Sequence, residues 1–396
     1  MKFKAKYIWF PIIIGLLAWL IAFIIHLYYY SYDPRISTYP KSTKVGHARP
    51  TAAESHNLVT LLSIDGGGTR GVIPLYLLSK IEAATNKRAR TSFDLIGGVS
   101  TGALIASALS IPNKEDKPLY SADVVLSKYL TLSDHIFAPN YLRNIITIDG
   151  IIAPKYDARK KYDFLDQYFH SYTLNDLLGN LLLIGVDSAH NKILTFCNWQ
   201  NCCDIPYEYP FTSIISGITS PYSFFAPQVL FNREQKIQYI LHDAGLIVAN
   251  PALLTYVFGK DLYPNAHYYF LLSLGTGTVR DDTLAKESVA KWGALHWLPH
   301  IITQVISGQR NEIRVVIKKL NRNELIYIRI NPSIVPEHSS LFRTDRPHFH
   351  YALSVAEKTY SDHQPLFQCI DEIITKRVIS PHCQTILSHY QEHEDR

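Results

Sequence analysis

Apolar and polar positions along this chain recur with two different periods, and the change from one to the other marks most of its elements. Leu58–Ile64, read L-V-T-L-L-S-I, is a short apolar run ending in glycines, the form of a strand buried on both faces of a parallel sheet. Beyond the glycines, Leu77, Leu78, Ile81 and Ala84 recur at helical spacing and mark one face of a helix. Residues 93–99 read as the next strand and 101–109 as a helix rich in small residues. Strands follow at 181–186, 193–197, 237–241 and 268–274, with a helix at 211–218 and a mostly helical stretch at 288–310 that is irregular around Pro299. Strand followed by helix, repeated, predicts an α/β fold with helices on the faces of a sheet. Residues 137–162 keep neither period; with a glycine, prolines and scattered aromatics they read as a long surface excursion near the site.

The first fifty residues follow different rules. No Asp, Glu, Lys or Arg occurs in 7–32, and 8–25 is almost wholly apolar, close to the ~20 residues that cross a hydrocarbon core. Trp9 near one end and Tyr28, Tyr29 and Tyr30 at the other suit an aromatic belt. The run is long for a signal peptide and no small-x-small cleavage site follows it, so residues 1–32 are expected to be a retained single-pass transmembrane anchor. Lys2, Lys4 and Lys6 lie closer to the span than Arg35, Lys41, Lys44 and Arg49, which favours a cytoplasmic N-terminus. Residues 33–56, polar and holding Pro34, Pro40 and Pro50, read as a juxtamembrane linker. The folded catalytic domain is expected over 57–396.

The formal charge of +5 belongs to the N-terminal segment: residues 1–50 carry seven basic side chains and one acid, leaving 32 basic and 33 acidic beyond. A folded nucleic-acid-binding face is therefore not expected, since such domains concentrate Lys and Arg on themselves. Five cysteines, Cys197, Cys202, Cys203, Cys369 and Cys383, form no C-x-x-C pair and are read as neither a zinc site nor a disulfide framework. His296 and His300 stand four apart without the glutamate of a zinc-protease helix. No metal and no cofactor is implied.

Candidate chemistry gathers at three turns. Asp65-Gly66-Gly67-Gly68-Thr69-Arg70-Gly71 follows a strand; its glycines let backbone approach a ligand and aim unpaired N–H groups at an anion. Gly98-Val99-Ser100-Thr101-Gly102 sits between a strand and a helix, as a nucleophile elbow requires; as a plain alternative, serine is also a preferred N-cap. His242-Asp243-Ala244-Gly245 follows the strand at 237–241, and the ends of parallel strands cluster at one edge of an α/β sheet, where Asp243 could reach Ser100. Its carboxylate could serve as the base that a serine hydroxyl needs, although Asp-Ala-Gly is also an ordinary turn. Gly66, Gly68 and Gly71 satisfy the dinucleotide pattern GxGxxG too, but no acid stands at the end of the second strand to hold a ribose. Arg70, a cation at a helix N-terminus, needs a negative partner: Asp65, or an oxyanion or lipid phosphate.

In these turns the chain resembles the patatin-like phospholipase family. Asp65 to Gly71 matches its DGGGxRG loop, Gly98 to Gly102 its GxSxG elbow, and Asp243 to Pro251 its DGG segment running to Asn-Pro, with Ala244 replacing the middle glycine. The stretches 216–227 and 274–278 resemble its serine- and proline-rich segment and its glycine-threonine turn. The resemblance implies a three-layer α/β sandwich with a mostly parallel central sheet. It implies a Ser-Asp dyad of Ser100 and Asp243, with the amides of Gly66, Gly67 and Gly68, supported by Arg70, as the oxyanion hole. The expected activity is phospholipase A-type cleavage of fatty-acyl esters in membrane glycerophospholipids. The alternatives are a hydrolase or transacylase for neutral lipids or soluble esters, and a catalytically silent membrane scaffold of the same fold. Ala244 is harmless only if that position does not require positive φ.

Overall fold

The computed structural model describes residues 9–26, 37–38, 57–138, 140–199, 209–232, 236–279, 292–320 and 323–393. Its elements, in chain order, begin with α1 (Trp9–His26), β1 (Ser37–Thr38), β2 (Leu58–Ile64), α2 (Val72–Thr85), α3 (Ala89–Ser92), β3 (Leu95–Val99) and α4 (Thr101–Leu109). Then come α5 (Ala122–Ile136), α6 (Tyr141–Ile146), α7 (Ala158–Phe169), β4 (Asn180–Asp187), β5 (Lys192–Cys197), α8 (Phe211–Ile218), β6 (Gln228–Asn232), β7 (Ile237–Asp243) and α9 (Ala252–Leu262). The remainder is β8 (Tyr268–Leu274), β9 (Thr278–Val279), α10 (Ala294–Lys319), β10 (Leu325–Ile330), β11 (Ser333–Ile334), α11 (Arg346–Asp362), α12 (Gln364–Lys376) and α13 (Pro381–His393).

Nine of the described strands form one sheet in the order β1-β6-β7-β4-β3-β2-β8-β10, with β5 on the side of β4. The centre, β4-β3-β2-β8-β10, is wholly parallel, while β5 and β7 run antiparallel to β4 and β6 antiparallel to β7. Successive residues of a strand face opposite sides, and the core divides accordingly. Leu62, Ile64, Phe270 and Leu272 pack with α2, α4, α5 and α11 on one face. Val59, Leu61, Tyr269 and Leu271 pack with α9 and α10 on the other. Both faces of the sheet are covered, which is why its strands are near-continuous apolar runs.

Several expectations change here. The expected transmembrane span appears as α1, an 18-residue helix with side chains such as Leu16 (61% accessible) turned outward. At ~1.5 Å per residue such a helix reaches about 27 Å against ~30 Å of hydrocarbon. Among the described residues no helix is long and apolar enough to cross a membrane; 1–8 and 27–36 lie outside them. Most of the expected linker also lies outside, but Ser37 and Thr38 pair in parallel with Leu230 and Phe231. The stretch around Pro299 is not a break: α10 runs through it. The reading of the cysteines is corrected. Cys369 and Cys383 form a disulfide with Cα atoms 5.3 Å apart, because α12 ends in a left-handed residue, Arg377, and α13 folds back beside it. Cys197 is also disulfide-bonded, whereas Cys202 and Cys203 fall outside the described residues.

Candidate active site

The elbow is built by steric exclusion. Ser100 has φ 55°, a conformation that costs a non-glycine residue about 1–3 kcal/mol. A Cβ on Gly98 would lie 2.4 Å from the Gly102 carbonyl oxygen, and one on Gly102 would lie 2.1 Å from that of Ile64. The two flanking glycines are therefore the condition for β3 to turn at once into α4 while α4 rests on the end of β2. Ser100 occupies the N-cap position, yet its side chain makes no capping bond. Its hydroxyl donates instead to the Asp243 carboxylate.

Strand pairing explains how residues 143 positions apart meet. On β4, residues 182–187 pair with β5, so β3, paired through Ile184, and β7, paired from Gly185 onward, must share the opposite edge. β3 arrives from one direction and stops at Val99; β7 arrives from the other and stops at Asp243. The two strands meet end to end against β4, one ending at the elbow and the other at the acid. Sequence reasoning brought Asp243 to the sheet edge as the end of a parallel strand. The strand is antiparallel, and the meeting happens within the sheet.

Asp243 is buried (4% accessible). Its Oδ1 accepts from the Gly245 amide at 2.7 Å, and its own amide donates to the Ser220 carbonyl at 3.0 Å. Burial lifts its carboxyl to about 6, while the bonds from Ser100 and Gly245 and the Lys161 charge pull the other way. Ala244 is buried against Val99, Ile184 and Val186 and is absent from the positive-φ residues, so the substitution costs no backbone strain. The neighbouring His242 leaves the strand on the other side and stacks on Tyr222 at 4.2 Å.

The glycine loop stands over Ser100: a Cβ on Gly66 would be 3.1 Å from the Ser100 Cβ. Every carbonyl of the three glycines is tied back. Gly66 O accepts from Thr276 Oγ1 at 2.7 Å and Arg310 Nη2 at 2.9 Å. Gly67 O accepts from the Arg70 amide at 3.2 Å, and Gly68 O from Tyr129 Oη at 2.5 Å and Thr101 Oγ1 at 3.0 Å. Among the described residues the amides of Gly66, Gly67 and Gly68 donate to no backbone carbonyl. Amides left free while their carbonyls are fixed form an anion cradle needing no rearrangement. Gly68, at φ 53°, is also closed to any side chain, because a Cβ would fall 1.9 Å from the Leu341 carbonyl oxygen.

Arg70 does not pair with Asp65. That carboxylate is held bidentately by Arg329, at 2.8 and 2.6 Å, with Arg310 3.3 Å away. Arg70 lies buried beneath the loop, its Nε and Nη1 without hydrogen-bond partners, and burial followed by repulsion from Arg310 lowers its guanidinium to about 9. Thr69 closes the loop from outside, its amide donating to Leu341 O at 2.8 Å and its hydroxyl lying 3.2 Å from the Nε2 of the buried His348.

A cavity of about 40 Å³ opens at Ser100 between Gly68, Leu104, Tyr129, Lys161, Phe225 and Phe342. Leu104, Tyr129, Leu132 and Leu165 also line a second, apolar cavity between α4, α5 and α7. At the mouth Phe342 stacks on Phe224 at 3.9 Å, with Phe137 at 5.4 Å.

Residues 62–256 match the patatin-like phospholipase family model. These residues form a patatin-like phospholipase domain. It is similar to patatin-like protein 2 of Arabidopsis thaliana, 32% identical over 270 residues covering 62% of this chain and 66% of that protein. It is also similar to patatin-07 of Solanum tuberosum, 29% identical over 272 residues, 63% and 68% of the two chains. The chain thus spans about two thirds of the length of these relatives. Among solved structures it aligns with human GIVD cytosolic phospholipase A2 at 11% identity and TM-score 0.38, covering 84% of this chain and 60% of that one. It also aligns with VipD of Legionella pneumophila at 14% and 0.32, covering 84% and 74%. The patatin-like family places the chain among lipid acyl hydrolases.

Sequence reasoning missed Lys161, Ser220, Tyr129, Arg310 and Arg329, all of which hold this patatin-like site together. For Lys161 there was a signal. It shares the buried face of α7 with Leu165 and Phe169, at positions i, i+4 and i+8, where a lysine is out of place.

Proposed function

We propose that this protein hydrolyses fatty-acyl esters of glycerophospholipids through a Ser100–Asp243 dyad. The observation that carries the reading is the hydrogen bond from the Ser100 hydroxyl, at a strained elbow, to a buried carboxylate. Asp243 takes the hydroxyl proton as Oγ attacks the ester carbonyl, and the tetrahedral oxyanion accepts hydrogen bonds from the amides of Gly66, Gly67 and Gly68. Collapse returns the proton to the departing lysolipid oxygen and leaves an acyl group on Ser100. A water molecule, deprotonated by Asp243, then releases the fatty acid. Preorganised oxyanion donors are typically worth ~10²- to 10³-fold each. The two adjoining cavities would take the acyl chain.

Two features support attachment to a membrane with the domain on its outer side. α1 turns large apolar side chains outward, and the Cys369–Cys383 disulfide belongs to an oxidising compartment. With the N-terminus cytoplasmic, the domain would face that compartment. The test is mass spectrometry of phospholipid vesicles incubated with wild-type and Ser100→Ala protein. Release of fatty acid and lysophospholipid by the wild type alone is expected; equal profiles would reject the reading.

A further inference from the structure

A lysine on the inner face of a helix normally extends its ammonium to water. Lys161 does not. It is 3% accessible, and its Nζ donates to Ser216 O at 2.8 Å, Thr219 O at 2.9 Å and Ser220 Oγ at 2.6 Å. An ammonium has three protons, and all three are used. No N–H remains to hold a substrate carbonyl or phosphate, although the side chain borders the cavity at Ser100. The bonding set also favours the charged form: the Ser220 hydroxyl already donates to Ser216 O at 2.8 Å, so its oxygen serves Lys161 as an acceptor, and a neutral amine, with two N–H groups, would turn its lone pair on one of the three oxygens.

The three acceptors lie on one segment, the end of α8 and the turn after it. That turn supplies the Ser220 carbonyl which accepts from the Asp243 amide at 3.0 Å. We propose that Lys161 is a positioning residue of the reaction: its ammonium clamps the 216–220 turn that seats Asp243 and favours that carboxylate's ionised form, so the rate falls when Lys161 loses its proton. This rests on Ser100 and Asp243 being the dyad.

The surroundings of both groups agree. Asp243 faces the Ser100 hydroxyl from the start of α4, the Gly245 amide of its own turn and the Lys161 charge from α7. Lys161 meets the Phe225 ring at 4.4 Å, and Asp243 is the carboxylate that favours its charge, against desolvation that lowers it to about 7. His242, on β7 beside the base, is pushed below the ordinary imidazole value by burial and by the same lysine, while its bond to the Ser220 carbonyl pulls the other way. Below about pH 6 Asp243 is protonated and no longer a base. Above about 7 Lys161 loses its proton, one clamp bond and the neighbouring charge.

The experiment is kcat/KM of the full chain for a soluble butyrate ester from about pH 5 to about pH 9. The wild type is expected to fall on both sides of a narrow optimum. Lys161→Arg, which stays protonated, is expected to lose the alkaline fall. Lys161→Met should move the acid fall upward by about one unit and lower kcat by about tenfold. Ser220→Ala removes one acceptor with little change of volume, so it covers the case in which arginine does not fit; its alkaline fall should come at lower pH. A wild-type profile flat above neutrality, or the same alkaline fall in the arginine and Ser220→Ala variants, would overturn the proposal. Undiminished hydrolysis by Ser100→Ala would instead refute the dyad on which it rests.

Discussion

Replacing Asp243 by asparagine separates what the carboxylate does for the reaction from what it does to the fold. The geometry tolerates the change: the amide oxygen can still accept from Gly245, and the amide nitrogen can face the Ser100 hydroxyl. Burial raises the Asp243 carboxyl from 3.8 to about 6, and two such units are worth about 3 kcal/mol. Because the folded-state value lies above the unfolded one, the folded chain binds the proton more tightly. Stability is fully present below the unfolded value and is lost as pH rises through the folded one. Asp243→Asn should therefore match the wild type near pH 4 and exceed it near pH 8. The margin is at most about 3 kcal/mol, because Lys161 loses its carboxylate neighbour at the same time. Thermal melts at the two pH values test this, and ester turnover is compared between about pH 6 and 7, where the wild-type base is ionised: turnover should fall ~10²- to 10⁴-fold. A variant that is less stable near neutrality, or shifted equally at both pH values, would refute the idea of a buried base ionised at a cost.

Three further outcomes follow from the packing. Gly102→Ala puts a Cβ against the backbone of Ile64 and Asp65, the latter's oxygen at 2.9 Å; a loss of about 1–3 kcal/mol with a larger loss of turnover is expected in melts and rate assays. Cys369→Ser with Cys383→Ser opens a 14-residue separation, and denaturant titration should show a loss of about 3 kcal/mol. Leu104→Trp, at the wall common to the two cavities, should shift ester preference toward short chains, read as the ratio of palmitate to butyrate turnover.

Much of this site is legible in the residues because it is made by local rules. Leu58–Ile64, Thr101–Leu109 and Phe211–Ile218 form the elements their patterns predict, since each is apolar, buried and bounded by glycine, serine or proline. The glycines around Ser100 announce an elbow because nothing larger fits. What is hidden depends on direction and distance. No pattern within 237–243 says that β7 runs antiparallel, yet that reversal brings Asp243 to Ser100. The pairing of Cys369 with Cys383 depends on how α13 turns back, and the partner of Asp65 is Arg329, 264 residues away. Ala244, which looked like a fault in the motif, is a core residue with ordinary backbone.

The central claim is that Ser100 carries the acyl group, and it can be tested by trapping that group. The full chain is incubated with a phospholipid of defined acyl chains, quenched in acid within the first turnovers, digested, and the peptide containing Ser100 is weighed. The account predicts a mass increase equal to one acyl group on Ser100 in the wild type and in Lys161→Arg, and none in Ser100→Ala. Fatty acid released with Ser100 never modified, or an acyl group found on another side chain, would contradict it.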